Sequence, residues 1–120
     1  MIYIATLWAK PGHENDVTRF YQSLEPLMRQ APGYRGRQIL RAMRGTMEAA
    51  VRKAIPAEEL AKHAEPPGPA GTHFVIVEQW DSVEQRMAFS RGVAAGRARE
   101  LIPFVLPDHT HEFYEDVSVT

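Results

Sequence analysis

The first strand of this chain constrains its fold more than any other segment. Residues Ile2 to Trp8 form an apolar run closed by Lys10-Pro11-Gly12, which reads as a β-strand ended by a turn. Its two faces are both apolar: Ile2, Ile4 and Trp8 on one, Tyr3, Ala5 and Leu7 on the other. A strand of this kind must be covered from above and from below. With 120 residues the chain has room for one domain with a core of its own, spanning 1–120. It has no room for a second domain to supply the missing layer.

The remaining pattern supplies one layer. Val17, Phe20, Tyr21, Leu24, Leu27 and Met28 share one face of a helix from about His13 to Gln30, with Pro26 inside it and Ala31-Pro32-Gly33 ending it. Tyr34 to Met43 reads as a second strand and His73 to Trp80 as the third. Ser82-x-x-Gln85 then opens a helix as a capping box. Gly92 and Gly96 break that helix, a further helical piece ends at Pro103, and a last strand runs from about His111 to Val119. Between strands two and three lies an insert, about 44–71. Met47, Val51 and Ile55 mark one or two short helices there, and Pro66 to Gly71 reads as a turn-rich linker.

The order β-α-β-(insert)-β-α-β is the ferredoxin-like, split-βαβ pattern of the α+β class, a four-stranded antiparallel sheet with helices on one face. The other face is left bare and apolar, which calls for a partner, most simply a second copy of the chain in a two-fold homodimer.

Composition narrows the chemistry. Fourteen basic and fifteen acidic residues leave a net charge of −1, which speaks against a nucleic-acid-binding stripe. The absence of cysteine excludes thiolate metal sites, disulfides and a cysteine nucleophile. No apolar run approaches a membrane span, and the opening residues lack the pattern of a signal peptide, so a cytoplasmic protein with no membrane partner is expected.

Several blocks of the chain, IYIATLWAKPG, APGYRGRQILR, FVIVEQWDSVEQRMAF and HTHEFYEDVSV, resemble the antibiotic biosynthesis monooxygenase-like family. The resemblance covers both ends and the middle of the chain but not residues 44–71. It implies a dimeric α/β barrel, in which two ferredoxin-like sheets face each other. It also implies chemistry without metal or flavin. An electron-rich phenol or anthrone loses a proton, its carbanion reacts with O₂, and the protein supplies an aromatic pocket, a base and oxyanion donors. Haem-degrading relatives carry a histidine in the helix after strand three and an asparagine in strand one. The helix SVEQRMAFSRG and strand one have neither, so haem degradation is disfavoured.

For the site, strands one and three are taken as parallel central neighbours, so that Trp8 and Trp80 end at one rim. Tyr34, Arg35, His109 and His111 are expected to gather beside them around a small aromatic ligand. The candidate bases are His111 and Glu78, the latter with a buried ion pair to an arginine such as Arg41 as its rival role. Tyr21 and Tyr114 are candidate oxyanion donors. Arg35, Arg37 and Arg41 share a strand face, where they could hold an anion or pair with a partner subunit's carboxylates. No metal site is expected. His109 and Glu115 are about 20 Å apart on an extended strand at ~3.3 Å per residue, and His73 is placed at the opposite rim. No cofactor is expected. Two functions follow: a cofactor-independent monooxygenase acting on a polycyclic or quinol-like aromatic, or a non-catalytic dimeric binding or structural protein. The insert is either a lid or a dimer clamp.

Overall fold

The computed structural model describes residues 1–60 and 70–118. Its elements are β1 (Ile2–Ala9), α1 (Glu14–Arg29), β2 (Tyr34–Arg41), α2 (Thr46–Ala54), α3 (Ala57–Leu60), β3 (Thr72–Trp80), α4 (Val83–Arg91), a 3₁₀ helix (Arg97–Phe104) and β4 (Val105–Tyr114). The four strands form one sheet in the order β2-β3-β1-β4, and every neighbouring pair is antiparallel. This is the ferredoxin-like α+β fold.

The pairing corrects one expectation. β3 runs antiparallel to β1, not parallel to it. The cause is topological. Helix α1 brings the chain back so that β2 runs with β1, and β3 then returns between them, opposite to both. Trp8 therefore pairs with His73 at one end of the sheet, while Trp80 lies opposite Tyr34 at the other.

Residues paired across an antiparallel ladder point to the same face, so the register sorts the sheet into rows. Under the helices lie Phe113–Tyr3–Glu78–Arg37, then His111–Ala5–Ile76–Ile39, then His109–Leu7–Phe74–Arg41. The buried core is Leu7, Ala9, Phe74, Ile76 and Trp80 from the sheet, Val17, Phe20, Tyr21, Leu24 and Met28 from α1, and Phe89 from α4. The opposite face carries Ile2, Ile4 and Trp8 with Val75 and Val77, none of them buried in the single chain. Strand one is thus apolar on both sides, as its sequence requires.

Helix α1 runs through Pro26 to Arg29. Ser82 caps the helix, its hydroxyl oxygen accepting the Gln85 backbone N–H at 3.2 Å, while the Gln85 side-chain oxygen accepts the Ser82 hydroxyl at 3.0 Å in place of the capping box's return bond to the backbone. Gly96, at φ +78°, separates α4 from the 3₁₀ helix. The last strand starts six residues earlier than the alternation suggests and ends at Tyr114. Pro107, which cannot donate to a ladder, hides that start. It sits where the β1–β4 register shifts between Leu7 and Ala9, at the sheet edge. The insert does form two short helices, and no residue of α2 is buried. Expectations for Pro66–Pro69 and Val119 fall outside the described residues.

Gly71 leads into β3 at φ +151°, and a Cβ there would lie 2.2 Å from the Ala9 carbonyl oxygen. Gly71→Ala is expected to cost more than about 2 kcal/mol by forcing β1 and β3 apart, read as a lowered thermal midpoint. Ser82→Ala should cost only about 1 kcal/mol.

Candidate functional site

The antiparallel register disperses the residues expected at one rim. Trp8, near the end of β1, lies opposite the start of β3, its ring 4.6 Å from that of His73, on the face away from the helices. Trp80 is in the core at 1% exposure, packed against Tyr34 and Phe89. The Tyr34 hydroxyl donates to Glu25 at 3.1 Å, and Arg35 makes two exposed bonds to Asp81, at 2.7 and 2.9 Å. Tyr34 and Arg35 do lie beside Trp80. Trp8 and the two β4 histidines do not.

The three β2 arginines do not form a cluster either. Arg35 is held by Asp81, Arg37 by the Tyr21 carbonyl and Glu25, and Arg41 reaches Asn15 at 3.4 Å. Each has a partner within its own chain. Arg37 is buried at 3% side-chain exposure, and its Nη1 is the one buried side-chain polar atom without a hydrogen-bond partner among the described residues.

Glu78 is buried, and its environment is that of an ion pair. The Arg86 Nε donates to its Oε1 at 2.7 Å and the Trp80 indole Nε1 donates to the same atom at 2.8 Å. The partner is Arg86 of α4, not Arg41. Both donors fall on Oε1, so the observed contacts are those of the ion-pair alternative.

What the register does assemble is a cavity of about 370 Å³ between the sheet and the helical layer, at the β1–β4 side. Tyr3, Tyr21, His109 and His111 are among its polar lining, with Thr6 and Thr110; Leu7, Leu101, Ile102 and Leu106 are among its apolar lining. No described residue of the insert lines it. His109 and His111 project to this face because they pair with Leu7 and Ala5. Their rings are stacked, 6.1 Å apart, and the His109 Nδ1 lies 2.9 Å from the Pro107 carbonyl oxygen. A carbonyl oxygen can only accept, so Nδ1 is the donor in that contact.

The two tyrosines line the same cavity as the histidines, which are exposed on the edge strand, and each tyrosine ring has an arginine beside it. The Arg86 guanidinium lies 4.2 Å from the centre of the Tyr3 ring, and that of Arg37 lies 5.9 Å from the Tyr21 ring. Burial pushes up the Tyr3 phenol, against the pull of Arg86, and pushes up the Tyr21 phenol more strongly. Both are therefore neutral donors at physiological pH. The Tyr34 hydroxyl is committed to Glu25, whereas Tyr3 and Tyr21 make no side-chain hydrogen bond through their hydroxyls among the described residues.

Tyr21 was a candidate donor by sequence, and the structure places it in the cavity. Tyr114 pairs with Ile2 on the other face and is half-exposed. Tyr3 is the residue that sequence reasoning overlooked; the strand-one alternation that puts it with Leu7 was its only signal. His73 stands near His109 along the sheet but on the opposite face, not at the opposite rim. Among the described residues no three histidine or carboxylate groups converge on a metal position. No helix of the described residues is long and apolar enough to cross a membrane.

The arrangement defines a class: a ferredoxin-like α+β chain with a ligand-sized cavity between one helix layer and its sheet. Comparison with family models and with curated proteins finds no match. Solved structures match over nearly the whole chain. A protein of unknown function from Nitrosomonas europaea superposes with a TM-score of 0.61 at 18% identity, over 99% of this chain and 90% of that one. An antibiotic biosynthesis monooxygenase does so with a TM-score of 0.57 at 18% identity, over 98% and 99%. SnoaB, a cofactor-independent oxygenase from Streptomyces nogalater, gives 0.57 at 9% identity, over 98% and 95%. The chain has the fold of the antibiotic biosynthesis monooxygenase-like proteins, and at these identities the likeness is one of fold.

Two outcomes follow from the buried groups. Glu78→Gln leaves the Arg86 charge buried without its counter-ion and should destabilise the fold by about 3–5 kcal/mol in chemical denaturation. Tyr34, with burial and the Glu25 hydrogen bond as causes, is pushed up to about 12. Because the folded value exceeds the unfolded one near 10, the fold keeps a proton that the unfolded chain loses. Stability is thus complete below about pH 10 and falls as pH rises through the folded value. Tyr34→Phe should lessen that alkaline loss, measured from urea midpoints at about pH 8 and about pH 11.

Proposed function

We propose that this chain is a cofactor-independent oxygenase of planar, hydroxylated aromatics, working as a two-fold homodimer. The observation that carries the reading is the cavity itself, whose largely apolar lining includes two neutral phenol donors and two solvent-exposed imidazoles. Its volume falls within the ordinary range for small-molecule sites.

The chemistry follows from that arrangement. An anthrone-type substrate is a carbon acid whose conjugate base carries its charge on oxygen. His111 takes the carbon-bound proton, with His109 as the neighbouring acceptor. Tyr3 and Tyr21 donate to the oxygen where the charge collects, and burial makes those hydrogen bonds stronger than they would be in water. The electron-rich carbanion then transfers electrons to O₂ and forms a C–O bond. The resulting hydroperoxide loses water, so that CH₂ plus O₂ gives C=O plus H₂O. One oxygen atom enters the product, the other leaves as water, and the four electrons come from the substrate. Glu78 serves in this reading by fixing Arg86 beside Tyr3, not as the base.

The dimer is supported by the open sheet face. Ile2, Ile4, Trp8, Val75 and Val77 form an apolar patch on that face, interrupted by the Thr6–Thr110 hydroxyl pair, and a patch of this kind calls for a cover. A second copy places an identical face against it. Val77→Asp puts a charge at the centre of that surface and should yield monomers in sedimentation velocity.

Purified protein should consume O₂ with a panel of anthrones and dihydroxynaphthalenes. His111→Ala should lower kcat by about 100-fold or more, and Tyr21→Phe should lower it less. No turnover across the panel, with binding retained, would leave the non-catalytic ligand-binding protein as the function. Turnover untouched by His111→Ala would remove His111 as the base.

A further inference from the structure

The outer wall of the cavity is built differently from the rest of the molecule. It consists of Ala98, Leu101 and Ile102, all on the 3₁₀ helix between α4 and β4. No residue of that helix is buried, and Ile102 is 66% exposed. Eight residues is long for a 3₁₀ helix, whose hydrogen bonds are poorer than those of an α-helix. Its N-terminal end is joined to α4 through Gly92–Gly96. Gly96 adopts φ +78°, with open space where a side chain would project. At the other end the Phe104 carbonyl oxygen accepts the Lys10 N–H at 2.8 Å.

Between these ends, among the described residues, one side-chain clip ties the segment to α1. The Arg97 Nη2 donates to the Ser23 hydroxyl oxygen of α1 at 2.9 Å, and its guanidinium lies 5.9 Å from the Phe20 ring centre. Glu100, one turn on, pairs with the same guanidinium and holds it in place. Leu101 and Phe104 pack against the core only in part. A segment with few buried contacts, a glycine-rich end and a single polar clip is the kind that opens locally while the rest stays folded.

We propose that residues 96–104 form a hinged gate over the cavity, clipped shut by Arg97 on Ser23, and that ligand enters and leaves when the clip opens. The gate swings from the Gly92–Gly96 stretch and stays tied at Phe104. Arg97 is a positioning residue, since it does not line the cavity. The proposal rests on the cavity being the ligand site, so it is tested first without ligand and then with one.

In hydrogen exchange of the ligand-free protein, amides 97–104 should exchange together and ahead of α1 and β1. Arg97→Ala should speed that group by roughly tenfold, the loss of a charge-assisted hydrogen bond and a cation–π contact, with α1 unchanged. Arg97→Lys should restore part of the protection. In stopped-flow mixing with 1,8-dihydroxyanthraquinone, a ligand that cannot be oxidised at the reacting carbon, Arg97→Ala should raise association and dissociation rates by a similar factor and leave Kd nearly unchanged. A purely structural role would raise dissociation alone. Unaltered exchange in 97–104, acceleration spread over α1 and β1, or a change confined to dissociation overturns the gate. If the dye binds neither protein while exchange behaves as expected, the gate stands and the aromatic-oxygenase reading of the cavity falls.

Discussion

The antiparallel pairing of β1 with β3 decides where nearly everything else in this molecule lies. Because paired residues share a face, the register Leu7–Phe74, Ala5–Ile76 and Tyr3–Glu78 places one alternating set under the helices and the other in the open. β4 is then added on the far side of β1 with its own register, which carries His109 and His111 into the same rows. A one-residue slip of β4 would turn both histidines to the opposite face. Pro107, at the irregularity between Leu7 and Ala9, marks where that register is set.

The helical layer turns these rows into an environment. Helix α1 lowers Tyr21 onto the sheet, and α4 sends Arg86 inward to Glu78 and over Tyr3. Burying a charge this deeply demands a partner, and Glu78 with the Trp80 indole meets that demand. The ionic centre therefore stiffens the floor beneath Tyr3 and does not face the cavity. The two phenols and the two imidazoles are left available to a ligand, whereas the Thr6 and Thr110 hydroxyls bond each other. The wall facing solvent is the least buried helical segment of this layer, so the same cavity combines a rigid floor and an accessible side.

Much of the fold could be read from residue spacing. The doubly apolar Ile2–Trp8 run, the helical stripe from Val17 to Met28 and the Ser82 cap each point to one local structure, and each is found. The candidate site was less legible because it depends on strand direction. With β1 and β3 taken as parallel, Trp8 and Trp80 meet at one rim; with the observed pairing they lie at opposite ends. The alternation in β4 does not reveal its start, since Pro107 breaks the pattern where the strand is already paired. Glu78 has the right signal for a buried carboxylate, but only the packing of α4 identifies Arg86 as its counter-ion. Tyr3 is inconspicuous in the sequence. It gains interest only when His111 and Tyr21 are seen around the same space.

The most direct test of the account is a crystal structure with 1,8-dihydroxyanthraquinone bound. The ring system should lie between the 3₁₀ helix and the β1–β4 rows, with an oxygen within hydrogen-bond distance of the Tyr3 or Tyr21 hydroxyl and an edge toward His111. A ligand seated instead on the open sheet face, against Trp8 and His73, would contradict it.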